Sequence, residues 1–232
     1  MSVRLVRWLG VRSEGIAATW REAEWSGRQE SVVARSVDDP GRLVLVERWA
    51  AADDLTAAIH DHGSELFPSS EVGDPPRDGI ELYRHATFER HGTEWVDTTY
   101  TNHQLTVTAG DRGPIRVIVS CRREHPSTSA SVASEVAETR TEPGCQQFGY
   151  FVDVQDPRSV MLFELWGTPA DYDRHWIVRL QTEAWRGARN DLAWGAVEVA
   201  SAEFYPHRQL RRYYDRLLPV DQEWASTVRW GL

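Results

Sequence analysis

One stretch of this chain is written twice. Asp39-Pro40-Gly41-Arg42-Leu43-Val44-Leu45-Val46-Glu47-Arg48-Trp49 returns 117 residues later as Asp156-Pro157-Arg158-Ser159-Val160-Met161-Leu162-Phe163-Glu164-Leu165-Trp166, an offset of about half the 232-residue length. A duplication of this size narrows the possible folds to two similar bodies. Units of about 90 residues are marginal alone, so the two are expected to share a buried face.

The segments around each copy follow one order. In the first, residues 3–11 form an apolar run broken by Arg4 and Arg7 and read as a strand. Ser13 stands where a helix N-cap would, and Ile16, Trp20 and Ala23 then fall on one helix face. Residues 30–37 and 42–49 are strands joined by the Asp38-Asp39-Pro40-Gly41 turn. A second helix starts at Asp53 and Asp54, where negative charge suits the helix dipole, and carries the stripe Leu55, Ala58, Ile59 and His62. Residues 79–88 give a fourth strand.

In the second copy the strand is 115–121, and the helix 131–139 turns Val132 and Val136 inward. Glu142-Pro143-Gly144 ends that helix, because proline cannot continue it and glycine tolerates the turn. Strands 146–154 and 159–166 follow. Helix 172–187 sets Tyr172, His175, Trp176 and Leu180 on one side, and strand 194–204 closes the unit. Both copies are therefore βαββαβ, the ferredoxin-like order, and the fold class is α+β. The expected organisation is a unit over 1–91, a polar linker over 92–113, a second unit over 114–207 and a tail over 208–232. Leu210, Tyr213, Tyr214, Leu217 and Leu218 recur in that tail at helical spacing, which predicts a docked helix.

Charge and cysteine content exclude several roles. A net charge of −9 with no long basic run argues against nucleic acid and against an anionic membrane surface as partners. Cys121 and Cys145 are too few for a disulfide framework, so a reducing, cytoplasmic setting is expected. Arg4 and Arg7 interrupt the apolar start, which therefore reads as neither signal peptide nor anchor. No stretch approaches the roughly 20 apolar residues of a membrane span. Eleven tryptophans are unusual and suit either a core or an aromatic-ligand pocket.

Glu142-Pro143-Gly144-Cys145, then Asp156-Pro157, then Glu164-Leu165-Trp166, then His175, together with Asp39-Pro40-Gly41 and Glu47-Arg48-Trp49, resemble the antibiotic biosynthesis monooxygenase domain family. The resemblance implies that the two units pack sheet against sheet as a dimeric α+β barrel, formed here within one molecule. It also implies chemistry. Family members include cofactor-independent oxygenases of anthrones and other reduced polycyclic phenols, in which a deprotonated, electron-rich substrate gives an electron to O2 itself. Such a protein needs a dry aromatic slot, a base, and donors for the developing anions. Haem-degrading relatives use an asparagine on the first strand, and neither residues 3–11 nor 115–121 contain one.

Residues two apart on a strand share a face, so Glu164 sides with Leu162 and Trp166, and Glu47 with Leu45 and Trp49. A carboxylate so placed lies at an exposed strand end, or is buried with a partner and held structurally, or moves a proton. Trp166 and Trp49 are core filler or pocket wall, and the resemblance favours the wall for Trp166. His175 is either a satisfied half-buried histidine or a proton acceptor, since imidazole titrates near about pH 6.5. Tyr172, one turn earlier, donates to a substrate or packs. At the same offset the position of His175 is filled by Ala58, so any reaction is expected in the second unit. His60-Asp61-His62 has spacing that points two ligands to different helix sides and would need His85 or His91 as a third. No glycine-rich phosphate loop, no GxSxG and no Cys-His nucleophile pattern is present.

These readings assign His175, Trp166 and Tyr172 as catalytic, and Trp176, Glu164 and Trp49 as substrate-binding, with neither metal nor cofactor expected. The expected partners are a small aromatic molecule and O2. The alternative is a non-catalytic tandem barrel that binds a small apolar ligand or serves as a scaffold. A further homodimer of the fused pair is left open.

Overall fold

The computed structural model describes residues 2–63, 65–68, 79–91, 94–97, 113–125, 129–181, 197–213 and 216–220. The first half runs β1 (Val3–Gly10), α1 (Glu14–Glu22), β2 (Arg28–Ser36), β3 (Arg42–Trp49), α2 (Ala52–His62) and β4 (Ile80–Arg84). The second runs β7 (Ile115–Arg123), α3 (Ser129–Thr139), β8 (Cys145–Asp153), β9 (Ser159–Trp166), α4 (Pro169–Gln181) and β10 (Val197–Pro206). The βαββαβ order thus occurs twice. Between the halves lie β5 (Phe88–His91) and β6 (Glu94–Asp97), and β11 (Gln209–Tyr213) and β12 (Arg216–Pro219) come last.

Among the described residues all twelve strands join one antiparallel sheet in the order β12-β11-β4-β1-β3-β2-β8-β9-β7-β10-β5-β6. The halves meet twice. At one seam β2 pairs with β8 through Ala34–Asp153, Arg35–Val152 and Ser36–Phe151. At the other, β5 continues the chain of β4 and pairs with β10 at Phe88–Ala202, while β11 continues β10 and pairs with β4 at Ile80–Leu210. These two pairings keep a single register, so the last strands of the halves run along each other. The two four-stranded sheets close into an intramolecular α+β barrel.

Period-two alternation sorts the side chains. The even positions of β3 face the barrel interior, where Val44 and Val46 meet Trp8, Phe151, Met161 and Phe163 from both halves. The odd positions face outward under the helices, so Leu43, Leu45 and Trp49 pack against Trp20, Leu55 and Ile59. β9 repeats the scheme. Met161 and Phe163 point in, while Leu162 and Trp166 point out beneath α3 and α4. Both strands are covered on two faces, which is why each reads as a nearly continuous apolar run. Among the described residues no helix is long and apolar enough to cross a membrane.

A matched pair of glycines sets the entry to each hairpin. Gly27 and Gly144 both take positive φ, 80° and 85°, and are 117 residues apart. Their carbonyls accept from Ala50 and Gly167 at 2.8 and 2.7 Å. A Cβ on Gly144 would collide with the Asp171 carboxyl at the start of α4, which is itself bonded to Thr168 Oγ1 at 2.8 Å. Gly144→Ala is therefore expected to cost about 1–3 kcal/mol, from left-handed backbone plus that collision. The check is urea unfolding, in which an unchanged midpoint would contradict this account of the turn.

Several sequence expectations differ from the structure. The tail over 208–232 was predicted helical, but 209–213 and 216–219 are strands, and 221–232 lie outside the described residues. The apolar spacing there fits either form, and the open edge of β4 decides it by offering unpaired backbone groups to β11. The predicted linker over 92–113 contains β6, and only 94–97 and 113 of it are described. Ser13 flanks α1 after a short 3₁₀ turn at Val11–Ser13 and makes no side-chain cap. Ala17, not Ile16, joins Trp20 inside, and Ile16 is 36% exposed. His62 is exposed at the end of α2, its ring 5.1 Å from that of Trp25.

Candidate functional site

The second half gathers most of the sequence candidates on the outer face of its sheet. Trp166 ends β9 fully buried, and its Nε1 donates to Glu164 Oε2 at 2.7 Å. The β-strand period puts both side chains on the helix-facing side. α4 enters over them and lowers Tyr172 and His175, one helical turn apart, onto the Trp166 ring. The His175 ring lies 4.7 Å from that of Trp166, 5.8 Å from Phe148 and 6.4 Å from Tyr172.

His175 is 5% exposed and has a carboxylate partner, with Nδ1 2.7 Å from Glu142 Oε2. Glu142 belongs to the turn between α3 and β8, which sequence reasoning took as a helix stop and part of the family motif, without giving Glu142 itself a role. This pairing explains how a polar ring stays in an aromatic cluster. It also orients the ring: in the neutral imidazole with Nδ1–H donating to the carboxylate, Nε2 is the nitrogen that carries the lone pair. Trp176 follows half-buried. Cys145 packs against the same cluster. Burial, with the charges of Glu164 and Glu142, pushes its thiol up to about 11, so it stays protonated at neutral pH.

Trp49 is not brought to this cluster. It lies fully buried in the corresponding place of the first half, where its Nε1 donates to Glu47 Oε2 at 2.9 Å. Glu47 also accepts from Trp20 Nε1 at 3.1 Å and Ser31 Oγ at 2.8 Å. Burial raises the Glu47 pKa, and these hydrogen bonds and the charge of Arg28 only partly oppose it. Ala58 stands where the second half has His175, so the first half has the tryptophan–glutamate pair without the imidazole.

His60 is exposed with Nδ1 2.9 Å from Asp61, whereas His85 is buried in the barrel beside Glu203. Among the described residues no group of three or more His, Cys, Asp and Glu side chains is arranged to hold a metal ion.

Sequence reasoning missed a second array, inside the barrel. Glu81-Leu82-Tyr83-Arg84-His85 on and after β4 recurs as Glu203-Phe204-Tyr205-Pro206-His207 in β10 and just beyond. Each glutamate is clasped by an arginine from the first strand of the other half. Arg116 Nε and Nη2 donate to Glu81 at 2.9 and 2.8 Å, and Arg4 Nε and Nη2 donate to Glu203 at 3.0 and 2.6 Å. Tyr83 and Tyr205 each donate to the glutamate two residues before them, at 2.7 Å. Their rings stack at 4.4 Å, only 3° from parallel, where the halves meet.

Burial alone would raise both carboxyl pKa values. For Glu203, bonding from His85 and the charge and hydrogen bonds of Arg4 overcome it and hold the group at about 2. For Glu81, the charge and hydrogen bonds of Arg116 win in the same direction. Both tyrosines are pushed up, by burial first and by the adjacent carboxylate second, and stay protonated. The array fastens the halves to each other.

A cavity of about 330 Å³ opens between the β2–β3 turn and β8, with Phe148 and Cys145 among its walls. Those two residues also touch the His175 cluster.

The antibiotic biosynthesis monooxygenase family model matches residues 119–190, which span β8, β9, α4 and His175. No curated protein matches this chain. Among solved structures, a candidate monooxygenase from Lactobacillus acidophilus is 9% identical with a TM-score of 0.31, covering 94% of this chain and 96% of its own. An anthrone oxidase-like protein is 11% identical with a TM-score of 0.30, covering 98% and 97%. An aldoxime dehydratase bound to butyraldoxime is 10% identical with a TM-score of 0.42, covering 88% and 82%.

Proposed function

We propose, on the match of the antibiotic biosynthesis monooxygenase family model to residues 119–190, that two such units, over 1–91 and 114–207, form one monooxygenase-like enzyme acting on a small aromatic molecule of the phenol, anthrone or quinol type. The observation that carries this reading is His175, held at 2.7 Å by Glu142 and laid against Trp166. A carboxylate on one ring nitrogen orients the imidazole and stabilises the cation that forms when the other nitrogen takes a proton. Proton removal from an anthrone leaves an electron-rich anion that reduces O2 directly. The methylene carbon becomes a carbonyl, one oxygen atom enters the substrate, and the other leaves as water with the two substrate hydrogens. Trp166, Tyr172 and Trp176 supply the aromatic surroundings in which such an anion forms away from water, with Glu164 locking the Trp166 ring.

The test is oxygen consumption by the intact chain across a panel of anthrones and quinols. One O2 is expected per anthrone converted, with one ¹⁸O atom from labelled gas in the product. Uptake no faster than the spontaneous rate for every substrate would refute the reading.

The burial of His175 favours a second reading, in which the His175–Glu142 pair clamps α4 to the α3–β8 turn and the barrel binds without reacting. The two differ in what His175→Ala does to turnover and to stability.

A further inference from the structure

We propose that the cavity between the β2–β3 turn and β8 is a binding site for a small aromatic carboxylate. Its walls come from both halves, with Asp38 and Arg42 from the first and Gln147, Gly149 and Phe151 from the second. The site thus exists only because the halves join at this seam. Its volume, about 330 Å³, falls within the range of about 300–1,000 Å³ usual for small-molecule sites.

Two partly buried side-chain N–H donors in the wall have no acceptor among the described residues. The Arg42 guanidinium lies half-buried over the Trp8 ring, 4.6 Å from its centroid, with no side-chain hydrogen bond and no ion pair. Burial and the neighbouring Arg116 charge hold it below the ordinary arginine range, and Asp39 and Asp38 only partly oppose this. Gln147 is the second. Its Oε1 accepts from Arg116 Nη1 at 3.0 Å, which fixes the amide, and its buried Nε2 has no acceptor. A buried donor without an acceptor is costly, so the matching ligand atom is an acceptor oxygen.

The acidic residues in the wall are already engaged. Asp38 is paired with Arg140 at 2.7 Å, and Asp39 Oδ1 accepts from the Gly41 amide at 3.2 Å in the turn. The wall charges of Arg42, Arg140, Asp38 and Asp39 balance, so what selects a carboxylate is the Arg42 guanidinium, whose N–H groups have no acceptor among the described residues. A carboxylate has the lone pairs to accept from the Arg42 guanidinium, and Gln147 lines the same cavity. Phe148 and Phe151 supply the apolar wall for a flat body. Gly149 keeps the space open, since a Cβ there would already reach ordinary contact with Arg140, Asp38 and Phe151 at 3.4–3.6 Å.

This site goes beyond the oxygenase reading and does not depend on it, because its test measures binding alone. The intact chain is titrated calorimetrically with 2-naphthoate and with the neutral 2-naphthamide. Saturable binding of one naphthoate per chain is expected, at least tenfold tighter than the amide. Arg42→Gln is expected to remove that preference, and Gly149→Val to abolish binding of both by filling the cavity. Gln147→Leu serves as the second donor variant if Arg42→Gln does not fold. Absence of saturable binding, or unchanged affinity in Gly149→Val, overturns the site. Equal affinity for acid and amide overturns the assignment of a carboxylate.

Discussion

Arg116→Ala is expected to lower folding stability by about 3–5 kcal/mol, the cost of leaving a buried charge without its partner. Glu81 is fully buried, and the bidentate clasp from Arg116 outweighs its desolvation. Without the guanidinium, Glu81 keeps only neutral donors, Trp8 Nε1 at 2.8 Å and the Tyr83 hydroxyl at 2.7 Å, with His207 behind them. The double variant Glu81→Leu/Arg116→Met is expected to recover much of the loss, because replacing both members of a buried pair by apolar groups removes the unpaired charge. Urea unfolding at neutral pH measures all three chains. A single variant as stable as the parent would show that the clasp does not join the halves. The symmetric pair adds a pH signature. Glu203 lies at about 2 in the fold against an ordinary value of 4.5. The unfolded chain takes up that proton first as pH falls. The stabilisation is therefore full above about 4.5 and is lost progressively as pH falls toward about 2.

His175→Ala is expected to cut oxygen uptake with a reduced anthrone by roughly 10²-fold, the scale of one lost general base. Glu142→Gln is expected to lose less, about tenfold, because the amide oxygen still accepts from Nδ1–H while its charge is gone. Glu142 is a positioning residue in this account, and its readout is the pH–rate profile. Loss of the carboxylate lowers imidazole basicity and moves the acidic limb to lower pH. A purely structural clamp would lower the unfolding midpoint in both variants and leave the limb in place. Unchanged uptake by a folded His175→Ala chain would remove His175 from the reaction.

The repeat made the strands and hairpins legible because the Asp-Pro turn and the Glu-x-Trp strand end are local chemistry. Gly144 was legible for the same reason, since a glycine after Glu-Pro at a helix end announces a left-handed turn. The inward side of α4 could be read from spacing, and His175 does lie on it. Its partner could not be read, because Glu142 is 33 residues away and only the packing of α4 over β8 and β9 brings it near. The barrel lock escaped for a related reason. Glu81-x-Tyr83-x-His85 and Glu203-x-Tyr205-x-His207 are 122 residues apart, not 117, so a search at one fixed offset passes over them. The arginines that clasp them come from the opposite halves, 35 and 199 residues away along the chain. The tail was misread because Leu210 and Leu217 sit at a spacing that serves a helix or a hairpin. A free sheet edge, invisible in sequence, chose the hairpin.

Calorimetric unfolding of the intact chain tests most directly whether two copies of one unit have closed a single barrel. A shared interior and strand pairing at two seams predict one transition, with calorimetric and van't Hoff enthalpies in agreement, displaced as a whole by Arg116→Ala. Two resolved transitions, with only one of them moved by that substitution, would contradict it.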